Sequence, residues 1–172
     1  MNGSLIESVR ALPNVGLLVI DEYVIPPLYV RKAQSKVLTT FGHLPTWAFT
    51  LHHKPLRDGL PAFQTVINKP AANAFVGTGL YRRLTDAGIK HLVVLGYHVE
   101  ACVAATIGHL WYEPPKTEDD IGAVNLGFTV HTHLHLIHAG EYSNKRMKPI
   151  WIAAAKAAPT EDCSRLLIYS KI

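Results

Sequence analysis

Short, continuous runs of apolar residues recur along the chain and alternate with segments of helical character. The runs do not alternate strictly between apolar and polar positions, which is typical of strands buried on both faces of a parallel sheet. Six runs predict six strands, at residues 15–20, 46–51, 63–67, 91–95, 128–130 and 166–169.

Four helices are predicted between these strands, and glycine or proline follows each of them. They span residues 29–41, 78–87, 101–112 and 150–158. Glycine just beyond a helix and proline shortly after it are common stop signals. The alternation predicts an α/β fold, namely a three-layer α/β/α arrangement around a doubly wound, mostly parallel six-stranded sheet. No internal repeat or long linker divides the chain, so we expect residues 1–172 to form one domain.

The composition is that of a globular protein, and it narrows the range of partners. Apolar residues make up 48% and charged residues 17% of the chain, with a net charge of +4 that is scattered rather than concentrated in a stripe. A nucleic-acid surface needs such a stripe. No apolar run is long enough to cross a bilayer, and Glu7 interrupts the segment that a secretory signal would occupy. We therefore expect a cytoplasmic protein that acts on a small molecule, without nucleic-acid or membrane partners.

Three reactive residues lie at or just after the carboxyl ends of predicted strands. Asp21 ends the first strand, Lys69 follows the third and Cys102 comes after the fourth. The carboxyl ends of parallel strands meet at one edge of the sheet, where α/β proteins bind ligands. Each residue has an ordinary alternative role, as a loop-capping carboxylate, a solvated lysine or a small buried apolar side chain. It is their convergence that predicts a site.

Cys102 begins a predicted helix, directly after the turn that leaves the fourth strand. The positive end of the helix dipole favours a thiolate there, and the free backbone N–H groups of a first turn can hold an oxyanion. Asp21 could accept the thiol proton and later protonate a leaving amine, while Lys69 could stabilise both anions. This chemistry is that of a cysteine hydrolase.

These motifs resemble those of the isochorismatase-like cysteine hydrolases, a family with an Asp–Lys–Cys triad that includes nicotinamidases and carbamoyl amidohydrolases. The first strand ends in Leu-Leu-Val-Ile-Asp at 17–21, and the lysine segment 69–80 carries Ala-Phe and Gly-Thr pairs at the family's spacing. The nucleophile segment 92–106 has a strand, then Gly96, five residues, Cys-Val and a nearby threonine. The resemblance extends from about residue 15 to about residue 130.

The resemblance implies hydrolysis of an amide-type C–N bond in a small molecule through a thioester on Cys102, assisted by Asp21 and Lys69. It also implies a cis peptide bond between Tyr97 and His98, an oxyanion site on backbone N–H groups near Ala101 and Cys102, and a homo-oligomer. The residues expected to line the substrate pocket are Tyr23, His52, Phe75 and Val99.

The chain departs from the family pattern at positions that border the pocket. Glu22-Tyr23 replaces the usual Met-Gln after the aspartate, and Val99 occupies a position that is often threonine. Nicotinamidases bind a metal through an Asp-x-His…His pattern after the second strand, and the segment 51–55 lacks that aspartate. We therefore expect neither a metal nor a cofactor. The substrate stays open, as does the alternative of a catalytically inactive binding or assembly protein.

Four histidines cluster between residues 131 and 138. On a strand, His131, His133 and His135 would share one face and could chelate zinc or copper. No carboxylate or thiol accompanies them, so neutral, hydrogen-bonded histidines are the favoured interpretation. A nucleotide-binding oxidoreductase is disfavoured because Gly77-Thr78-Gly79 lacks the third glycine of the dinucleotide fingerprint.

Overall fold

The structure is a computed structural model that describes residues 3–21, 25–51, 55–63, 65–97, 99, 101–108, 121–138 and 165–172. The strands in this part of the chain are β1 (Val15–Asp21), β2 (Thr46–Leu51), β3 (Val66–Lys69), β4 (His91–Tyr97), β5 (Thr129–His133), β6 (Ile137–His138) and β7 (Leu166–Tyr169). The helices are α1 (Leu5–Arg10), α2 (Leu28–Thr40), α3 (Leu80–Asp86) and α4 (Cys102–Ile107). None of these helices has the length and apolarity to span a membrane.

The strands form one doubly wound sheet in the order β3-β2-β1-β4-β5-β7, with the two-residue β6 pairing beside the end of β4. Every strand pairing in the described residues is parallel. After β1 the chain winds outward through β2 and β3, then returns to place β4 on the other side of β1. The point between β1 and β4 is therefore the topological switch point, where α/β sheets of this kind bind ligands.

Two hydrophobic cores flank the sheet, one on each face. Leu18 and Ile20 of β1 pack in the core that contains the buried residues of α3 and α4. Leu17 and Val19 point to the opposite core, which α1 and α2 cover. Both faces of the central strands are thus apolar, which explains their continuous apolar runs and confirms the three-layer α/β/α prediction.

Some element boundaries differ from the prediction. Strand β3 begins at Val66 rather than at residue 63 and pairs with β2 as far as Lys69, so this lysine belongs to the strand. Helix α1 was not predicted; it begins after Ser4, whose hydroxyl accepts the N–H of Glu7 at 3.4 Å. The predicted helix 150–158 lies outside the described residues.

Helix α4 ends at Ile107, well before the predicted end at residue 112. The N–H groups of Ala123 and Val124 donate to the carbonyls of Thr106 (2.8 Å) and Ile107 (3.0 Å), which the next helical turn would otherwise use. Gly108 then turns away with φ +122°. Backbone hydrogen bonds from a later turn of the chain therefore compete with the next helical turn, and the sequence of α4 itself does not signal this end.

Candidate active site

The three residues singled out from the sequence lie at the carboxyl edge of the sheet. Asp21 ends β1, Lys69 ends β3 and Cys102 begins α4, five residues beyond the end of β4. Their exposed fractions are only 3%, 0% and 2%. Polar groups buried to this extent must be paired, because an uncompensated buried charge is strongly unfavourable.

Lys69 and Cys102 contact each other directly. The Nζ atom of Lys69 lies 2.9 Å from Sγ of Cys102 and also donates to the carbonyls of Ala71 (3.3 Å) and Ala72 (3.2 Å). Of these three partners only the sulfur can carry a negative charge. An ammonium group at this distance is placed to stabilise a negative charge on the sulfur, and the thiolate is the nucleophilic form of a cysteine.

Hydrogen bonds between the lysine and cysteine segments hold this pair in place. The N–H of Ala74 donates to Oγ1 of Thr106 at 3.0 Å, which joins the loop after β3 to helix α4. Asn73 donates from Nδ2 to the carbonyl of Ile121 (2.8 Å) and accepts the N–H of Phe75 at Oδ1. The small and polar residues of the two sequence motifs thus fix the backbone around the pair.

Gly96 allows β4 to approach β1 closely beside Asp21. It pairs in register with Ile20 and has φ +145°. A Cβ atom at this position would lie 2.0 Å from the carbonyl oxygen of Ile20. Only glycine fits here, so the glycine of the nucleophile motif sets the spacing of the two strands at the switch point.

Asp21 is paired with an arginine that the sequence interpretation did not identify. The backbone N–H of Arg57 donates to Oδ2 of Asp21 at 2.9 Å, and its Nε lies 3.4 Å from Oδ1. The Nη2 atom of Arg57 donates to Oε1 of Gln34 on α2. Burial lowers the pKa of Arg57, and the charge of Asp21 acts in the opposite direction. A weak signal in the sequence could have identified Gln34, because it is a polar residue on the apolar face of a predicted helix. Arg57 lies in a loop without hydrophobic periodicity, so the pattern of the sequence does not identify it.

Comparison with known proteins agrees with this geometry. The isochorismatase domain model matches residues 51–111, a segment that includes Lys69 and Cys102. The structure superposes on a nicotinamidase from Staphylococcus aureus with a TM-score of 0.65 at 15% identity, covering 91% of this chain and 99% of that one. The protein has an isochorismatase-like fold. The resemblance inferred from the sequence motifs is thereby confirmed.

Two further solved structures have the same isochorismatase-like fold. One is an N-carbamoylsarcosine amidase from Thermoplasma acidophilum, with a TM-score of 0.60 at 18% identity over 91% of this chain and 98% of that one. The other is a pyrazinamidase from Pyrococcus horikoshii in complex with zinc, with a TM-score of 0.59 at 19% identity over 93% and 100%. None of the curated proteins matches the chain.

Most of the other predicted site residues lie in the described part of the chain, and their burial differs. Tyr97 and Val99 are buried at the end of β4 and in the turn after it, and Tyr97 interacts electrostatically with Arg57. Ala101 is exposed and its carbonyl accepts the N–H of Ala105 at 2.8 Å. Phe75 is half-buried and stacks on Phe128 at a ring-centroid distance of 6.2 Å. The predicted residues that lie outside the described part are Tyr23, His52 and His98.

His131, His133 and His135 do not share one strand face, the arrangement on which the disfavoured metal-binding alternative depended. Strand β5 ends at His133, and the chain turns at residues 134–136, so His135 is not on the strand. The turn forms because Nδ1 of His133 accepts the N–H of His135 at 3.0 Å. Among the described residues, no three His, Cys, Asp or Glu side chains are grouped as metal ligands.

His131 takes part in a separate hydrogen-bonded cluster. Its Nδ1 lies 2.9 Å from the hydroxyl of Tyr169, and its Nε2 lies 3.2 Å from Nδ1 of His91. Burial, and secondarily the nearby His91, lowers the pKa of His131 to about 4. His131 is therefore neutral near pH 7, with one ring nitrogen able to donate and the other to accept.

Proposed function

We propose that residues 1–172 form a single isochorismatase-like hydrolase domain that cleaves an amide-type C–N bond of a small molecule. The observation that carries this proposal is the 2.9 Å contact between Nζ of Lys69 and Sγ of Cys102 at the carboxyl edge of the sheet. A nucleophile paired with a buried cation beside a topological switch point is a recurring arrangement in α/β enzymes. Two structural neighbours that are named as amidases support the choice of bond.

In the first proposed step, the Cys102 thiolate attacks the substrate carbonyl carbon. A C–S bond forms, the C–N bond breaks, and Asp21 gives the departing amine the proton it took from the thiol. Backbone N–H groups at Ala101 and Cys102 hold the negative oxygen of the tetrahedral intermediate. Lys69 stabilises the thiolate before attack.

In the second step, Asp21 takes a proton from water, and the resulting hydroxide attacks the thioester carbonyl. The C–S bond breaks, the acid product leaves, and Lys69 again pairs with the released thiolate. The neighbouring pyrazinamidase was solved with zinc. In the described part of this chain, the loop between β2 and β3 places Arg57 next to Asp21. The proposed steps are written with the protein's own groups.

Trapping of the covalent intermediate tests the proposal. The protein is incubated with a panel of small amides and its intact mass is measured after rapid acid quench. We expect an added acyl mass on Cys102 that is absent from Cys102→Ala. The adduct should be retained in Cys163→Ala, a control at the other of the two cysteines in the sequence. Absence of both adduct and turnover across the panel would contradict the proposal and favour the inactive binding or assembly protein. The cytoplasmic location and homo-oligomeric state stay predictions.

A further inference from the structure

Arg57 is a buried cation whose contacts converge on the proposed acid–base residue. It lies in the loop between β2 and β3 and reaches Asp21 through both its backbone N–H (2.9 Å) and its Nε (3.4 Å). Only 8% of Arg57 is exposed. A buried ion pair is a poor way to gain stability, because the desolvation of two charges offsets most of their attraction. The arrangement therefore calls for a reason other than stability.

A chain of hydrogen bonds continues from Arg57 and returns to the strand beside Asp21. Arg57 donates to the side-chain oxygen of Gln34, and Gln34 donates from Nε2 to the carbonyl of Leu136 at 2.8 Å. The same carbonyl accepts the N–H of Gly96 at 2.9 Å, and Gly96 pairs with Ile20, the residue before Asp21. The network thus fixes the carboxylate relative to both strands of the switch point.

We propose that Arg57, supported by Gln34, is a positioning residue that holds the Asp21 carboxylate oriented and negatively charged for accepting a proton from water. This inference rests on the proposed function. The backbone N–H of Arg57 donates to one oxygen of the Asp21 carboxylate. The guanidinium forms an ion pair with the other oxygen at 3.4 Å, without hydrogen-bond geometry at Nε, and the two contacts together oppose rotation of the carboxylate. A carboxylate fixed in this way loses little orientational freedom when it takes a proton from the water that cleaves the thioester.

An activated ester separates the two halves of the reaction, and p-nitrophenyl acetate is a suitable probe. Its leaving group departs without a proton, so acetylation of a Cys102 thiolate already formed beside Lys69 requires no proton from Asp21 and appears as a burst of p-nitrophenolate. Hydrolysis of the acetyl-thioester then consumes water and releases acetate, and this step depends on Asp21. Burst amplitude and steady-state rate therefore report on different residues.

We expect Arg57→Gln to keep the burst and to slow deacylation about 10-fold, since misplacement of a catalytic group is costly in rate. Arg57→Lys, which keeps the charge and the backbone N–H contact but not the guanidinium beside Oδ1 of Asp21, should recover part of that loss. The matched control is Lys32→Gln, which removes an exposed cation from the groove of about 830 Å³ that Arg57 and Gln34 also line. This control should deacylate at the wild-type rate.

A double mutant separates positioning from a structural effect. Asp21→Asn alone should slow deacylation by about 100-fold, the low end of general-base contributions. If Arg57 acts through Asp21, adding Arg57→Gln to Asp21→Asn should cause no further loss. Gln34→Met is the second variant should Arg57→Gln fail to fold, and it should slow deacylation in the same direction to a smaller degree.

Two results would overturn the inference while leaving the proposed function intact. One is a wild-type deacylation rate in both Arg57→Gln and Gln34→Met. The other is a loss of burst and deacylation in equal proportion, which a general structural defect would produce. If the wild-type protein gives neither a burst nor an acetyl adduct on Cys102, the proposed function fails, and the inference fails with it.

Discussion

Two regions of the described part of the chain bury ionisable side chains and stabilise them in opposite ways. At the carboxyl edge of the sheet, the basic side chains of Lys69 and Arg57 lie next to Cys102 and Asp21, groups that can carry the opposite charge. Toward the amino end of β4, the ring of His131 is held neutral between His91 and Tyr169. Charge pairing and neutralisation are the two ways of avoiding the free-energy cost of an isolated buried charge.

The difference between the regions shows why residue type alone is a poor guide to function. The histidine cluster has a composition suited to metal binding, yet His131 is engaged in cross-strand hydrogen bonds. The Lys69–Cys102 contact joins two residues that, taken singly, give only a weak signal in the sequence. Reactive chemistry is expected where the buried groups stay charged, because a charge kept in a low-dielectric site is available for stabilising reaction intermediates.

Replacement of Lys69 by methionine tests the region at the carboxyl edge of the sheet. It should give the largest effect, on the reactivity of Cys102. An apolar side chain of similar length removes the cation that favours the thiolate, so Cys102 should react with iodoacetamide about 1000-fold more slowly near neutral pH. Thermal unfolding should change little, since apolar replacement of a buried charge is often neutral for stability. Mass spectrometry of the alkylated protein gives the rate at Cys102.

The control for this experiment is Lys90→Met, an exposed lysine on the loop before β4. It should alkylate at the wild-type rate. Equal alkylation rates in Lys69→Met and wild type would mean that the two buried regions do not differ in the way described, and that Cys102 is an ordinary core thiol.

Gly96→Ala tests whether the structure at the carboxyl edge of the sheet requires the close approach of β1 and β4. The new Cβ would be placed 2.0 Å from the carbonyl oxygen of Ile20, so the strands must separate. We expect the free energy of unfolding to fall by about 4 kcal/mol, as for severe overpacking combined with a strained backbone. Urea denaturation measures the change.

Gly127→Ala is the matched control for the free-energy cost of placing alanine at a positive φ. Gly127 also has a positive φ, of +90°, but no atom lies within 4 Å of the position that an added Cβ would occupy. This substitution should lower the free energy of unfolding by only about 1 kcal/mol. Similar losses for the two variants would show that conformational strain, not the contact with Ile20, makes Gly96 necessary.

The sequence patterns predicted the layers and the sheet because parallel strands buried on both faces must be continuously apolar. The polar networks are harder to predict, since they join residues far apart in the chain. Arg57 meets Asp21 across 36 positions, and neither its loop nor its neighbours carry a periodic signal. The early end of α4 has the same origin, because residues 123 and 124 compete for its last carbonyls.

The pH dependence of stability tests the cluster of His131, His91 and Tyr169. The expected effect is smaller than those of Lys69→Met and Gly96→Ala. The pKa of His131 is about 4 in the folded protein, compared with an ordinary value of 6.5. As the pH falls below 6.5, the unfolded chain binds a proton that the folded protein does not bind, so stability declines. The decline ends near pH 4, where the folded protein is protonated as well. Over this window the contribution amounts to about 3 kcal/mol.

His131→Gln removes this titrating group, so its free energy of unfolding should vary less between pH 7 and pH 4 than that of the wild-type protein. Urea denaturation across this range measures the difference, with His43→Gln as a control at an exposed histidine in the loop before β2. An unchanged pH profile in His131→Gln would mean that His131 binds its proton at the same pH in the folded as in the unfolded protein. The cluster with His91 and Tyr169 would then accept a charge below pH 6.5, and the contrast between the two buried regions would disappear.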